Sequence, residues 1–168
     1  MKAKLKFPIF SFSPRNNMVY AFWKANDYKT TDMKWFKRNK RKKDIVQRNV
    51  FLKQLYPKGF EKFCIGQLKL GIGEINLQLH VFDKPLVEVS KWEVWNKDYN
   101  VVVIEISDNV IQKLNIYNWQ NCNMGLCDCE IQEYDNHIIH LLFKGESWQI
   151  ELETEFGLIF QKCGTYII

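Results

Sequence analysis

The sequence predicts an α+β domain built on a mainly antiparallel, strongly twisted sheet of about six to eight strands. Period-two alternation dominates the C-terminal half, as strands with one dry and one wet face require. Gly and Asn punctuate that half where hairpin turns belong, because both tolerate positive φ. Only two short stretches carry a helical period: a longer helix near residues 44–56 and a short one near 108–114.

Residues 1–29 are aromatic and poorly periodic. Thr30 or Thr31 could cap a helix carrying Met33 and Phe36. Lys34 to Lys43, KWFKRNKRKK, has seven positive side chains in ten residues and buries no face of its own. From Asp44 to Tyr56, Ile45, Leu52, Leu55 and Tyr56 fall near one helical stripe with Val46 and Val50 beside it, and Pro57 and Gly59 end it. Cys64 to Phe82 reads as strands, with Ile75, Leu77, Leu79 and Val81 alternating and Gly71-Ile72-Gly73 resetting the face. Leu86 to Trp95 is a further strand candidate. Asn96-Lys97-Asp98 is a turn, and Val101 to Ile106 a short buried strand. Ser107 or Asp108 then caps the second helix, with Val110, Ile111 and Leu114 on one side. Residues 115–125 read as loop.

Leu126 to Phe160 holds the core as three or four strands. In the Trp148–Glu155 segment Trp148, Ile150 and Leu152 share one side, and Gln149, Glu151, Glu153 and Glu155 the other. His137 to Phe143 is apolar on both faces and is placed centrally. Asp135-Asn136 and Lys144-Gly145-Glu146 are its flanking turns.

With 168 residues and 46% hydrophobic content, the chain is expected to form one domain, residues 1–168, burying about 70% of its unfolded surface. No apolar run approaches the roughly 20 residues a membrane span needs. Pro8 and Ser11 interrupt the only leader-like stretch. The five cysteines are an odd count, so reduced thiols and a cytoplasmic location are expected. Frequent Asn, Ile and Lys fit an AT-rich bacterial genome. The net charge of +5 conceals an asymmetry. Residues 1–70 hold 18 Lys and Arg against 4 Asp and Glu, net +14, while residues 71–168 hold 6 against 15, net −9.

No catalytic motif stands in the chain: there is no G-x-S-x-G, H-E-x-x-H or phosphate-binding loop. Cys122, Cys127 and Cys129, followed by His137 and His140, offer thiol and imidazole ligands, but their spacing matches no zinc pattern. Core cysteines are expected there, with no metal and no cofactor. Two surfaces remain. Asp128, Glu130, Glu151, Glu153 and Glu155 should face outward on neighbouring strands as an acidic ridge that imitates a phosphate backbone. Trp35, Lys37, Arg38, Lys40, Arg41, Lys42 and Lys43 offer charge for phosphates and a ring for stacking.

The chain is therefore expected to be a non-enzymatic binding protein. The leading expectation is an immunity-type inhibitor that neutralises a toxin domain, such as a nuclease, by charge complementarity, with Trp92, Trp95 or Trp119 as anchors where exposed. The alternative is a nucleic-acid-binding module using residues 34–43. Engaging four phosphates would give it a log–log salt slope of roughly −3.6. A small enzyme is the second alternative.

Overall fold

A computed structural model describes residues 45–122, 125–134 and 137–168 of the chain. These residues are mostly β-sheet with little helix. Nine strands are β1 (Val46–Gln47), β2 (Phe63–Leu70), β3 (Ile75–Val81), β4 (Val101–Asp108), β5 (Ile111–Tyr117), β6 (Asp128–Glu133), β7 (Ile138–Lys144), β8 (Gln149–Glu155) and β9 (Leu158–Tyr166). They form two sheets rather than one: a five-stranded sheet ordered β1-β9-β4-β3-β2 and a four-stranded sheet ordered β5-β8-β7-β6. Every pairing is antiparallel except the short parallel contact of β1 with β9.

One core joins the two sheets. Ile75, Leu77 and Leu79 of β3 and Val102, Ile104 and Ile106 of β4 share it with Leu141 and Phe143 of β7 and Ile150 and Leu152 of β8. The alternation that marks β8 in the sequence is thereby explained: Ile150, Leu152 and Thr154 are fully buried, and the glutamates between them face out. Emptying one such site, as in Leu152→Ala, costs about 2–5 kcal/mol in comparable cores.

The helical expectations fail in instructive ways. Near 44–56 the described chain is first a strand, because Val46 and Gln47 pair with Leu158 and Ile159. Arg48 then adopts a left-handed φ of 55° and Asn49 bonds back to the Val46 carbonyl, so the helix, α1, is confined to Val50–Leu55. Near 108–114 there is no helix. Asp108 Oδ1 accepts the Val110 N–H at 3.0 Å, an Asx-type turn instead of a helix cap, and β5 follows at once. Val110, Ile111 and Leu114 satisfy a helical period by accident of spacing. The partner strand decides, since Leu114 and Ile116 stand opposite Leu152 and Ile150.

Leu86 to Trp95 is not a strand either. It is an irregular connection with a single 3-10 turn at Ser90–Trp92, and Trp92 is buried between Phe51 and Tyr99. The face reset expected at Gly71–Gly73 is a tight turn, closed by Gly71 N–H to the Glu74 carbonyl at 2.8 Å. The register shift lies earlier, between Ile65 and Gln67, and keeps Leu68 and Leu70 opposite Leu77 and Ile75. β7 is central, between β6 and β8, as its two apolar faces require. The Gly145 turn closes through Gly145 N–H to the Trp148 carbonyl at 3.0 Å, whereas Asp135-Asn136 lies outside the described residues. Among the described residues no helix is long and apolar enough to cross a membrane.

Candidate protein-docking face

The outer face of the four-stranded sheet collects all five acidic residues singled out in the sequence. Register sets their order across the strands. Asp128 stands opposite Lys144, which stands opposite Gln149; Glu130 faces Leu142, Glu151 and Asn115 in turn; Gln132 faces His140, Glu153 and Lys113. Glu155 ends the β8 row opposite Ile138. The carboxylates thus form two rows with β7 between them, about 10 Å apart at ordinary strand spacing.

Cations interrupt the expected ridge. Lys144 Nζ reaches Glu130 Oε1 at 2.6 Å, with both side chains 42% exposed. So exposed a pair contributes at most about 1 kcal/mol. Lys113 Nζ lies 3.2 Å from Glu151 Oε1 and 3.5 Å from Glu153 Oε1. Glu151 also accepts from Asn115 Nδ2 at 2.7 Å and meets His140 Nε2 at 3.0 Å. Burial alone would push its carboxyl up, but the hydrogen bonds from Asn115, His140 and Lys113 outweigh burial and hold it below the usual range. Burial likewise opposes the charge on Lys113, and the two glutamates overcome it and raise its pKa. Glu151 is therefore the hub of an internal network. Asp128 is exposed, and the Glu155 carboxylate takes a long 3.4 Å contact from Gln112 Nε2.

The same cluster is the one grouping of metal-ligating side chains among the described residues. Ligand atoms of His140, Glu151 and Glu153 lie within 4.8 Å of one another. Lys113 already bridges both carboxylates, so the protein's own ammonium holds the position a divalent ion would take. The cysteine–histidine set weighed from the sequence does not converge. Cys127 and Cys129 are buried in the core, and His137 stacks on Phe156 at 6.1 Å, beyond the far end of β7 from Cys129.

Nucleophilic thiol chemistry is equally disfavoured. Burial pushes Cys64 up to about 11 and Cys127 and Cys163 up to about 12, and it raises Cys122 and Cys129 as well. Protonated thiols are poor nucleophiles at neutral pH.

Exposed aromatic side chains stand near both ends of the four-stranded sheet, and Tyr117, opposite Gln149, is on its acidic face. Tyr117, 48% exposed, and Trp119, 41% exposed against Trp148, stand where β5 ends. Phe156, 42% exposed and stacked on His137, stands where β8 ends. Of the three tryptophans considered as anchors, Trp92 is buried, Trp95 is half-buried against Tyr99, and Trp119 alone is exposed. Tyr117 and Phe156 were not singled out in the sequence. The alternation through Asn115 and Tyr117 is the signal that could have found the first, had 115–117 been read as strand.

The opposite side of the molecule, the outer face of the five-stranded sheet, carries a second polar network without a sequence signature. Glu105 accepts from Asn76 at 3.1 Å and Gln78 at 3.4 Å and pairs with Lys162 at 3.4 Å. His80 Nδ1 meets the Tyr166 hydroxyl at 2.8 Å. The basic set Trp35, Lys37, Arg38, Lys40, Arg41, Lys42 and Lys43 lies outside the described residues. Comparison of the chain with protein-family models, with curated proteins and with solved structures finds no match.

Proposed function

We propose that this protein is a non-enzymatic binding protein that takes a basic protein partner on the outer face of its four-stranded sheet, in the manner of an immunity-type inhibitor of a toxin domain. One observation carries the reading. Five carboxylates from β6 and β8 share a single face whose lysines, among the described residues, are Lys113 and Lys144, and the exposed Tyr117 lies on the same face. Electrostatics of this kind set encounter rate and specificity, while rim and centre aromatics supply buried area. A nuclease-type cleft, shaped to hold phosphates, is the partner chemistry that fits.

Within this face the roles divide. Asp128 and Glu155 are the carboxylates most available to a partner, and Glu151 keeps the sheet's own network together. The test is therefore Asp128→Lys with Glu155→Lys, which leaves Lys113, His140 and Glu151 untouched. Wild type and variant, equal by circular dichroism, would be used to capture proteins from a bacterial lysate at low and moderate salt. A basic protein retained by the wild type and lost from the variant is the expected result. Identical captures from both would remove this face. Micromolar binding of labelled oligonucleotides with a steep salt slope would instead favour residues 34–43 and a nucleic-acid partner.

A further inference from the structure

Among the described residues the two sheets end in four outer strands, and these differ in how they are defended against pairing. β1 is two residues long. β2 carries the register shift at Ile65/Gln67, and the Cys127 N–H bonds to its Phe63 carbonyl at 2.9 Å. β6 presents Asp128, Glu130 and Glu133, which would repel a second copy of itself. β5 is the least protected, because its register shift and its one lysine both lie at its start. Its irregularity is confined to Ile111–Lys113, and Lys113 to Tyr117 pairs regularly with β8 on one side. No strand borders its other side among the described residues. Leu114 and Ile116 remain only half-buried although their β8 partners, Leu152 and Ile150, are fully buried.

We propose that β5 is the interface of a two-fold dimer, in which residues 113–117 pair antiparallel with the same residues of a second copy. The regular run has Asn115 at its centre, and that fixes the register. Asn115 then meets Asn115 of the second copy at the dyad, where paired amides can hydrogen-bond. Leu114 meets Ile116 of the second copy on the inner face, extending the core across the junction. Lys113 meets Tyr117 of the second copy on the outer face, where the ring can cover its aliphatic stem while its ammonium stays on Glu151 and Glu153. Cross-strand pairs of these kinds each contribute about 0.2–1 kcal/mol. Moving the centre to Lys113 would set lysine on lysine, so that register is excluded. The pairing joins two four-stranded sheets into one of eight strands, with the carboxylate rows of both copies on the same side.

Asn115 allows a clean test, because its β8 neighbour in the same chain is Glu151. Asn115→Lys keeps a favourable partner within the monomer and sets like charges opposite each other at the dyad. Sedimentation equilibrium of the full chain should show a monomer–dimer equilibrium, with Asn115→Lys weakening association about fivefold or more while its far-ultraviolet circular dichroism stays that of the wild type. A second variant, Asn115→Cys, should form a covalent dimer with diamide, since directly opposed Cα atoms lie about 4.5–5.5 Å apart, within the span of a disulfide. Mass spectrometry would locate the 115–115 bond against the background of the native thiols. A wild type that stays monomeric at about 100 μM overturns the proposal. So does a dimer that is indifferent to Asn115→Lys and gives no 115–115 bond.

Discussion

Glu151 illustrates how a residue that looks solvent-facing in sequence becomes structural in place. It sits on the outer side of β8, yet Asn115, His140 and Lys113 from both flanking strands converge on it. Its carboxyl is held below the ordinary range by those hydrogen bonds, against the upward push of burial. The charged form therefore stabilises the fold above the unfolded-state pKa of about 4.3, and that contribution is lost as pH falls through the lower folded value. Glu151→Gln should cost about 1–3 kcal/mol at pH 7. Urea melts repeated down to pH 3 should show the gap between wild type and variant closing; a constant gap would mean that the carboxylate's charge plays no part.

Two glycines with left-handed backbone separate conformational strain from collision at the scale of single elements. Gly73, φ 69°, lies in the β2–β3 turn, and a Cβ there would meet nothing within 4 Å. Gly73→Ala should cost only about 1 kcal/mol, the left-handed penalty itself. Gly157, φ 88°, lies between β8 and β9, and a Cβ there would strike the Ile45 carbonyl. That carbonyl accepts the Leu158 N–H at 2.9 Å and leads into the β1–β9 pairing. Backbone cannot swing aside as a side-chain tip can. Gly157→Ala should therefore lose β1 in addition to the strain, with a drop of about 3 kcal/mol or more. Thermal melts of both variants, and exchange of the Leu158 amide, would check it: similar costs at the two positions would refute the collision.

At the scale of the whole molecule the connectivity is strongly non-local. β4 pairs with β9 more than fifty residues later, and the 118–127 connection carries the chain from β5 at one edge of the four-stranded sheet to β6 at the other. Loop-closure entropy precedes the reward of such contacts, so refolding should take roughly milliseconds to seconds. Stopped-flow tryptophan fluorescence would measure it, since Trp92 and Trp148 are both buried in the folded core. A dominant microsecond phase would contradict this topology.

Much of the strand pattern was legible because period-two alternation depends on one face being wet. β3, β6 and β8 follow from it with nearly correct bounds, and β4 follows from its short apolar run instead. Where that condition weakened, the reading failed. β5 is an edge strand with half-buried residues on both faces, so Val110, Ile111 and Leu114 fitted a helix equally well. Ile45 to Tyr56 has enough apolar residues for a helix throughout, and only the pairing of Val46 with Leu158 makes a strand of its first part.

The sequence by itself determined that this chain folds as mainly antiparallel sheet with an outward row of carboxylates, since local alternation writes both. Tertiary structure alone decided that there are two sheets, that β7 separates the carboxylate rows, and that Lys113, Lys144 and His140 stand among the acids. Those facts depend on strand order and register, which bring together residues as far as forty positions apart, as for Lys113 and Glu153. No local pattern in the chain encodes such distances.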